Sequence, residues 1–146
     1  MFRLCTLVLC LCVAYNAAQS VTLSTQARSV ASAGSDMVAA VEARYEAVKK
    51  NATQLVESLN AAVTAGKLTL EQIQYVRFYL LLDEQQSDLI NSQLLVAVGN
   101  CWMFIDVPGG LDACQIGAAG SVMMAVAQLE STFKVHQASA LGLLGN

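Results

Sequence analysis

Residues 35–67 have the sequence SDMVAAVEARYEAVKKNATQLVESLNAAVTAGK, in which apolar residues recur at alternating spacings of three and four. Polar and charged residues fill most of the positions between them. This pattern is typical of an amphipathic helix that buries one stripe against neighbouring helices. The stripe comprises Val38, Val41, Tyr45, Val48, Ala52, Leu55, Leu59 and Ala62.

The ends of this segment carry signals that start and stop helices. Ser35 or Asp36 suits the N-cap position, and Gly66 suits the left-handed residue that follows a helix. Thr69 with Gln72 three residues later forms a capping-box pattern, which predicts that a second helix begins at residue 70. The short connection predicts that the two helices are antiparallel neighbours.

The second predicted helix covers residues 70–98 and contains one ambiguous segment. Its residues 83–88, DEQQSD, are polar on every face, and a kink, a short break and a solvated turn are all compatible with them. The apolar residues around this segment are predicted to be buried: Leu70, Ile73, Val76, Leu80, Leu81, Leu89, Ile90, Leu94, Leu95 and Val98.

A Pro-Gly-Gly turn separates the second helix from a third. Pro108 removes a backbone donor and the two glycines permit left-handed backbone, so residues 106–112 interrupt the helix. Asp112, with Gln115 three residues later, is the predicted N-cap of the third helix. No segment has a comparable strand pattern. The predicted fold is therefore all-α, an antiparallel bundle of three long helices, with a short fourth element from the N-terminal arm as an option. The third helix has the apolar stripe Ile116, Ala119, Met123, Val126, Leu129 and Phe133.

The first residues have the features of a secretory signal peptide. Arg3 precedes an eleven-residue stretch, 4–14, that is apolar except for Thr6, and small residues follow where a signal peptidase would cut. We expect a signal peptide at residues 1–18 with cleavage between 17 and 20, and a secreted, extracellular mature chain. An uncleaved membrane anchor is disfavoured because eleven residues are too few to cross a bilayer. A flexible arm at 19–35, a bundle at 36–140 and a frayed end at 141–146 complete the expected organisation.

The predicted leader contains three of the five cysteines, so only Cys101 and Cys114 remain in the mature chain. Two such thiols in an oxidising compartment are expected to form a disulfide. Their spacing fits neither a CxxC redox centre nor a zinc site, and no metal or cofactor is predicted. Two buried free thiols are the alternative.

The charge balance excludes some partners. The mature chain has seven Lys or Arg against eleven Asp or Glu, and its cations form no cluster. Nucleic acid is therefore not an expected partner, and neither is an anionic lipid surface held by charge alone.

No residue set points to catalysis, so an enzyme is not predicted. The single histidine, His136, is expected to be an ordinary exposed residue near the end of the third helix. Asp83, Glu84 and Asp88 offer oxygen ligands of the kind calcium prefers, but their spacing matches no EF-hand loop, and a solvated polar face is the preferred interpretation.

Asn51-Ala52-Thr53 is the only N-glycosylation sequon of the chain. Secretion would make Asn51 available to the transferase, although the sequon lies within a predicted helix. The glycoprotein and the unmodified protein both remain open.

Three functions are compatible with these features. The first is a non-catalytic binding protein that holds an apolar small molecule or lipid between its helices. The second is a structural or interaction protein whose heptad helix pairs with another chain or copy in a coiled coil. The third is a membrane-active hairpin of the uncharged segments 89–105 and 113–129, although their polar residues and glycines argue against insertion across a bilayer. The candidate apolar pocket comprises Trp102, Met103, Phe104, Met123, Met124 and Phe133.

Overall fold

The structure is a computed structural model that describes the backbone of residues 2–145 and the side chains of residues 33–145. It has three long helices, α1 (Phe2–Thr64), α2 (Leu70–Asn100) and α3 (Gly110–Leu144), and a 3₁₀ turn at Cys101–Phe104. No strand occurs within this described backbone. The all-α three-helix bundle is confirmed. The predicted signal peptide and residues 19–32 of the predicted arm lie outside the residues with described side chains.

Contacts between the helices define the topology. Lys49 pairs with Asp88, and Tyr45 with Asn91, so α1 and α2 are antiparallel. The Cys101–Cys114 disulfide and the contact between Asp83 and His136 show in the same way that α2 and α3 are antiparallel. Consequently α3 runs parallel to α1, and the two are joined by a two-point Arg44–Glu130 ion pair with distances of 2.8 and 2.6 Å.

The apolar stripe of α1 lies in the core. Five of its eight residues are buried, and the other three are half-buried. The Tyr45 hydroxyl donates to Asn91 Oδ1 at 2.9 Å, and burial raises the pKa of Tyr45 to about 12. This stripe, from Val38 to Ala62, packs against α2 and α3 of the same chain. The buried five are Val41, Tyr45, Val48, Ala52 and Leu59.

The helical backbone of α1 is already present at residues 33–36, before the predicted N-cap at Ser35 or Asp36. The Gly34 N–H donates to Asp112 Oδ1 at 2.6 Å, which fastens this part of α1 to the start of α3. Asp112 is therefore occupied by a tertiary contact. It is the third residue of α3, and the N-cap is Gly109 in a left-handed conformation rather than the predicted Asp112.

The connection between α1 and α2 follows the prediction. Gly66 has φ +71°, and the Lys67 N–H donates back to Ala62 O at 2.9 Å, as in a Schellman ending. Thr69 Oγ1 accepts from the Gln72 N–H, and Gln72 Oε1 accepts from the Thr69 N–H. The capping box is confirmed.

α2 is continuous through residues 83–88, which resolves the ambiguity of this segment. Asp83 and Ser87 are buried in the bundle, so the segment is not a solvated polar face. Four of the predicted buried residues are exposed instead, because α2 contacts its neighbours over a narrower arc than its apolar composition suggests. Those four are Leu70, Leu81, Leu89 and Leu95.

α3 continues to Leu144, past the predicted end of the bundle at residue 140. Leu143 and Leu144 pack against the core, which explains the extension. Most of the predicted stripe is buried or half-buried, but Ile116 is exposed, and Val122 is buried as well.

Candidate functional site: the disulfide-closed tip

The end of α2 and the start of α3 form a closed tip at one end of the bundle. Cys101 is bonded to Cys114 with a Cα–Cα distance of 5.5 Å, so the predicted disulfide is confirmed. The buried Cys101 is the C-cap of α2 and the first residue of the 3₁₀ turn. The disulfide therefore fixes where the turn begins and where α3 emerges from it.

Backbone hydrogen bonds inside the turn satisfy its own donors. The N–H groups of Ile105, Val107 and Gly110 donate to the carbonyls of Trp102, Phe104 and Val107, at 3.3, 3.0 and 2.8 Å. Gly110 has no room for a side chain, because a Cβ atom there would lie 2.8 Å from that of Val107. The turn is thus compact, and its larger side chains point outward.

Those outward side chains are apolar. Met103 is 75 % exposed and Trp102 64 %, and Phe104, Ile105 and Val107 are exposed beside them. Monomeric proteins rarely leave several large apolar side chains together in water without a partner. We refer to residues 101–110 as the tip.

Charge is scarce around the tip. Residues 89–129 contain only two charged residues, Asp106 on the tip and the buried Asp112. Asp36 of α1 is exposed near the same end, since Gly34 contacts Asp112. The described ion pairs lie farther along the bundle, so among the side chains of residues 33–145 the tip end is apolar and weakly acidic while the other half is charged.

The structure separates the six residues of the predicted apolar pocket. Trp102, Met103 and Phe104 lie on the tip, whereas Met124 is 84 % exposed on α3. Phe133 is buried roughly 34 Å along α3 from its start, too far to share a cavity with the tip. It lines an open groove of about 470 Å³ between α1 and α3. Met123 is half-buried, and its sulfur lies 3.3 Å from Arg44 Nη1.

A cluster of Tyr79, Asp83 and His136 lies inside the charged half of the bundle. His136 Nδ1 is 2.7 Å from Asp83 Oδ2, and the ring of Tyr79 stacks on His136 with centroids 4.9 Å apart. Burial raises the pKa of Asp83, and the hydrogen bond and charge of His136 offset part of that rise. The expectation of an ordinary exposed His136 is therefore wrong, because α3 continues past this residue and turns it toward α2.

This pair resembles the half of a hydrolase triad that orients a histidine. Among residues 33–145, however, no described hydrogen bond joins a Ser, Thr or Cys side chain to His136. The pair joins α2 to α3.

The three acidic residues that could offer oxygen ligands to calcium have three different partners. Asp83 faces His136, Glu84 accepts from Thr53, and Asp88 pairs with Lys49. Within the described side chains, no three His, Cys, Asp or Glu residues lie together in a metal-binding group.

The sequon residue Asn51 is exposed on α1, at the groove between α1 and α3. Its partner Thr53 donates a hydrogen bond to the Glu84 carboxylate at 2.6 Å. A glycan on Asn51 would extend over that groove and leave the tip uncovered.

One helix among the described residues, α3, is long and apolar enough to cross a membrane by length and composition. Helices buried in the core of water-soluble bundles pass the same test.

No family model, no curated protein and no solved structure matches the chain. Functional inference accordingly depends on the geometry of the bundle itself. One sequence feature marks the tip, although it does not show that the side chains there are exposed. A run of large apolar residues, 102–105, leads directly into a Pro-Gly-Gly turn.

Proposed function

We propose that this protein is a secreted, non-catalytic protein that docks on lipid surfaces, with the tip as the part that enters the lipid interface. The observation that carries this proposal is the exposure of Trp102, Met103 and Phe104 on a turn held by the Cys101–Cys114 disulfide. The sequence predicts an apolar ligand between the helices, whereas here the lipid contacts the end of the bundle.

The chemistry of the tip suits lipid better than a protein partner. Tryptophan prefers the boundary between hydrocarbon and headgroups. Several backbone donors of the turn are already paired within it, so partial insertion leaves few polar groups unsatisfied. Protein interfaces, in contrast, surround their apolar centre with a polar rim, and Asp106 is the only charged residue among residues 101–110.

The charges favour a neutral, zwitterionic surface. Anionic lipids attract clusters of Lys and Arg, and the described side chains at the tip end offer Asp36 and Asp106 instead. Burying the exposed parts of Trp102, Met103 and Phe104 contributes about 3–5 kcal/mol in total, at roughly 1.5–3 kcal/mol for each fully buried side chain. That is similar to a single myristoyl chain, so docking should be reversible.

Trp102 is the single tryptophan of the chain, so its fluorescence reports on the tip alone. Titration with phosphatidylcholine vesicles should shift its emission to shorter wavelength, and the protein should sediment with the vesicles. Met103→Ser should weaken binding by roughly tenfold, because it removes a large part of the buried apolar surface. Val135→Ser removes an exposed apolar side chain from the charged half and should leave binding unchanged.

Unchanged Trp102 emission at high vesicle concentration would contradict lipid docking. Stronger binding to phosphatidylserine vesicles would contradict the preference for neutral lipid. A shift caused only by a protein partner would assign the tip to protein recognition instead.

A further inference from the structure

One face of α2 remains uncovered along most of the helix, and its side chains repeat every seven residues. The apolar positions are Tyr75, Leu82, Leu89 and Val96, and the positions four residues later are Tyr79, Gln86, Gln93 and Asn100. We call these eight residues the α2 ridge. None of them carries a charge. Phe78, also exposed, lies beside the ridge.

The ridge is exposed although it has the pattern of a helix interface. Leu82 is half-buried, and the other seven residues are exposed. Between the ridge and α3 lies a groove of about 240 Å³, lined by Gln86, Leu89 and Gln93 from α2 and by Ala125, Gln128 and Thr132 from α3, among others. The face therefore presents both projecting apolar side chains and a groove that can receive them.

We infer that the α2 ridge is the interface through which two copies of this chain form a parallel dimer. The absence of charge on the α2 ridge is compatible with a second copy as the partner. Two identical faces without charges can pack together without like-charge repulsion. Side-chain amides also suit self-pairing, since each offers a donor and an acceptor to its counterpart. This inference does not depend on the proposed lipid function.

The parallel orientation follows from the order of residue types. In a parallel pair of helices, equivalent heptad positions face each other, so Leu89 meets Leu89 and Gln93 meets Gln93. In an antiparallel pair the apolar positions would face the positions held by Gln86, Gln93 and Asn100. Buried amides that meet each other fix register at some cost in stability.

The length of the ridge sets the expected affinity. Residues 75–100 span roughly 37 Å of helix, and a helix is about 10 Å wide. Together with the α3 side of the groove, the ridge could bury an area at the low end of the range for stable interfaces. Such interfaces bury at least about 1,000 Å² in total. The dimer should therefore be weak and concentration-dependent.

Sedimentation equilibrium of the mature chain, from low micromolar to near-millimolar concentration, tests the dimer. The average mass should rise toward twice the monomer mass. Leu89→Glu should abolish that rise, because it places a charge on the ridge of each copy. Leu95→Glu is the matched control on the same helix, since Leu95 is 57 % exposed and Leu89 58 %, and Leu95 lies about 120° around the helix from the ridge.

A monomer at every concentration would overturn the inference, and so would equal effects of Leu89→Glu and Leu95→Glu. Circular dichroism of both variants should show an intact fold, because both replaced side chains are on the surface. Met103→Ser on the tip should leave the dimer unchanged, and loss of the dimer in this variant would show that copies associate through their tips.

Gln93→Cys tests the orientation. Two copies in the parallel arrangement bring these residues together, so mild oxidation at dimer-forming concentration should produce a covalent dimer. Failure to cross-link while the dimer persists would overturn the parallel arrangement.

Discussion

Asp83 on α2 and His136 on α3 are joined by a 2.7 Å contact between Oδ2 and Nδ1, and Asp83 is buried almost completely. The contact bridges two helices inside the charged half of the bundle. Tyr79, one turn before Asp83, covers the other side of the imidazole. The stability of the bundle should therefore depend on the protonation of Asp83.

Asp83→Asn should change the pH dependence of stability. Burial raises the pKa of Asp83 above its ordinary value of 3.8, so the folded protein binds this proton more tightly than the unfolded chain. The resulting stability is fully present below that value and is lost as pH rises through the raised pKa. Over this window the free energy of unfolding of Asp83→Asn should rise relative to the wild type. Urea denaturation at a series of pH values measures the free energy of unfolding of both proteins. A difference between them that does not change with pH would contradict the raised pKa of Asp83.

His136→Ala should destabilise the bundle by about 3 kcal/mol at neutral pH, because it leaves a buried carboxylate without its partner. The double variant Asp83→Leu/His136→Leu should recover part of this loss, since apolar groups of similar size carry no desolvation penalty. Denaturant titration of the two variants measures the comparison. If the single variant were as stable as the wild type, the pair would have no structural role.

Gly34→Ala should cost about 1–3 kcal/mol, because the added Cβ would lie 2.5 Å from Asp112 Oδ1 and 2.9 Å from its backbone oxygen. Gly117→Ala in α3 is the control, since nothing lies within 4 Å of the added atom. It should stabilise the helix by about 0.5–1 kcal/mol. Opposite signs in thermal denaturation are expected, and a stabilising Gly34→Ala would show that α1 and α3 are not in close contact there.

Removal of the disulfide should lower the free energy of unfolding by about 3 kcal/mol, because a loop of this size loses its constraint in the unfolded chain. The two cysteines are 13 residues apart. Cys101→Ser/Cys114→Ser, compared with the wild type under oxidising conditions, measures the loss. Reductant should destabilise only the wild type, and an equal effect on both proteins would point to a different cause.

Thr69→Ala should cost about 1 kcal/mol by removing the capping box of α2. Thr64→Ala is a suitable control across the same connection, because the Thr64 hydroxyl only bonds back to Asn60 O within α1. Its effect should be within about 0.5 kcal/mol of zero. Equal losses in the two variants would show that the cap contributes nothing specific.

The helices could be predicted in different degrees. α1 buries one face against both neighbours. Its buried residues therefore form a single regular apolar stripe, which is visible in the sequence. α2 contacts α1 on one edge and α3 on another, and it keeps apolar residues such as Leu89 on a third. Periodicity does not show which of three apolar faces is buried. It predicts that Leu89 and Leu95 are buried, whereas Asp83 and Ser87 occupy the core.

The polar contacts could not be predicted, because they join residues far apart in the chain. Asp83 is buried because His136, 53 residues away, faces it. Asp112 has the sequence pattern of an N-cap, but its carboxylate accepts a hydrogen bond from the N–H of Gly34, 78 residues away in the chain. The tip residues Trp102, Met103 and Phe104 were recognised as apolar binding residues, but a sequence does not show whether such residues face inward or outward.

The disulfide also affects what a protease can do to this protein. The exposed turn at residues 102–109 is accessible to cleavage, as exposed loops generally are. A cut between Cys101 and Cys114 leaves the two fragments covalently joined, with α2 and α3 still packed against α1. The nicked molecule would keep its mass apart from one added water, and its fragments would separate only after reduction and unfolding.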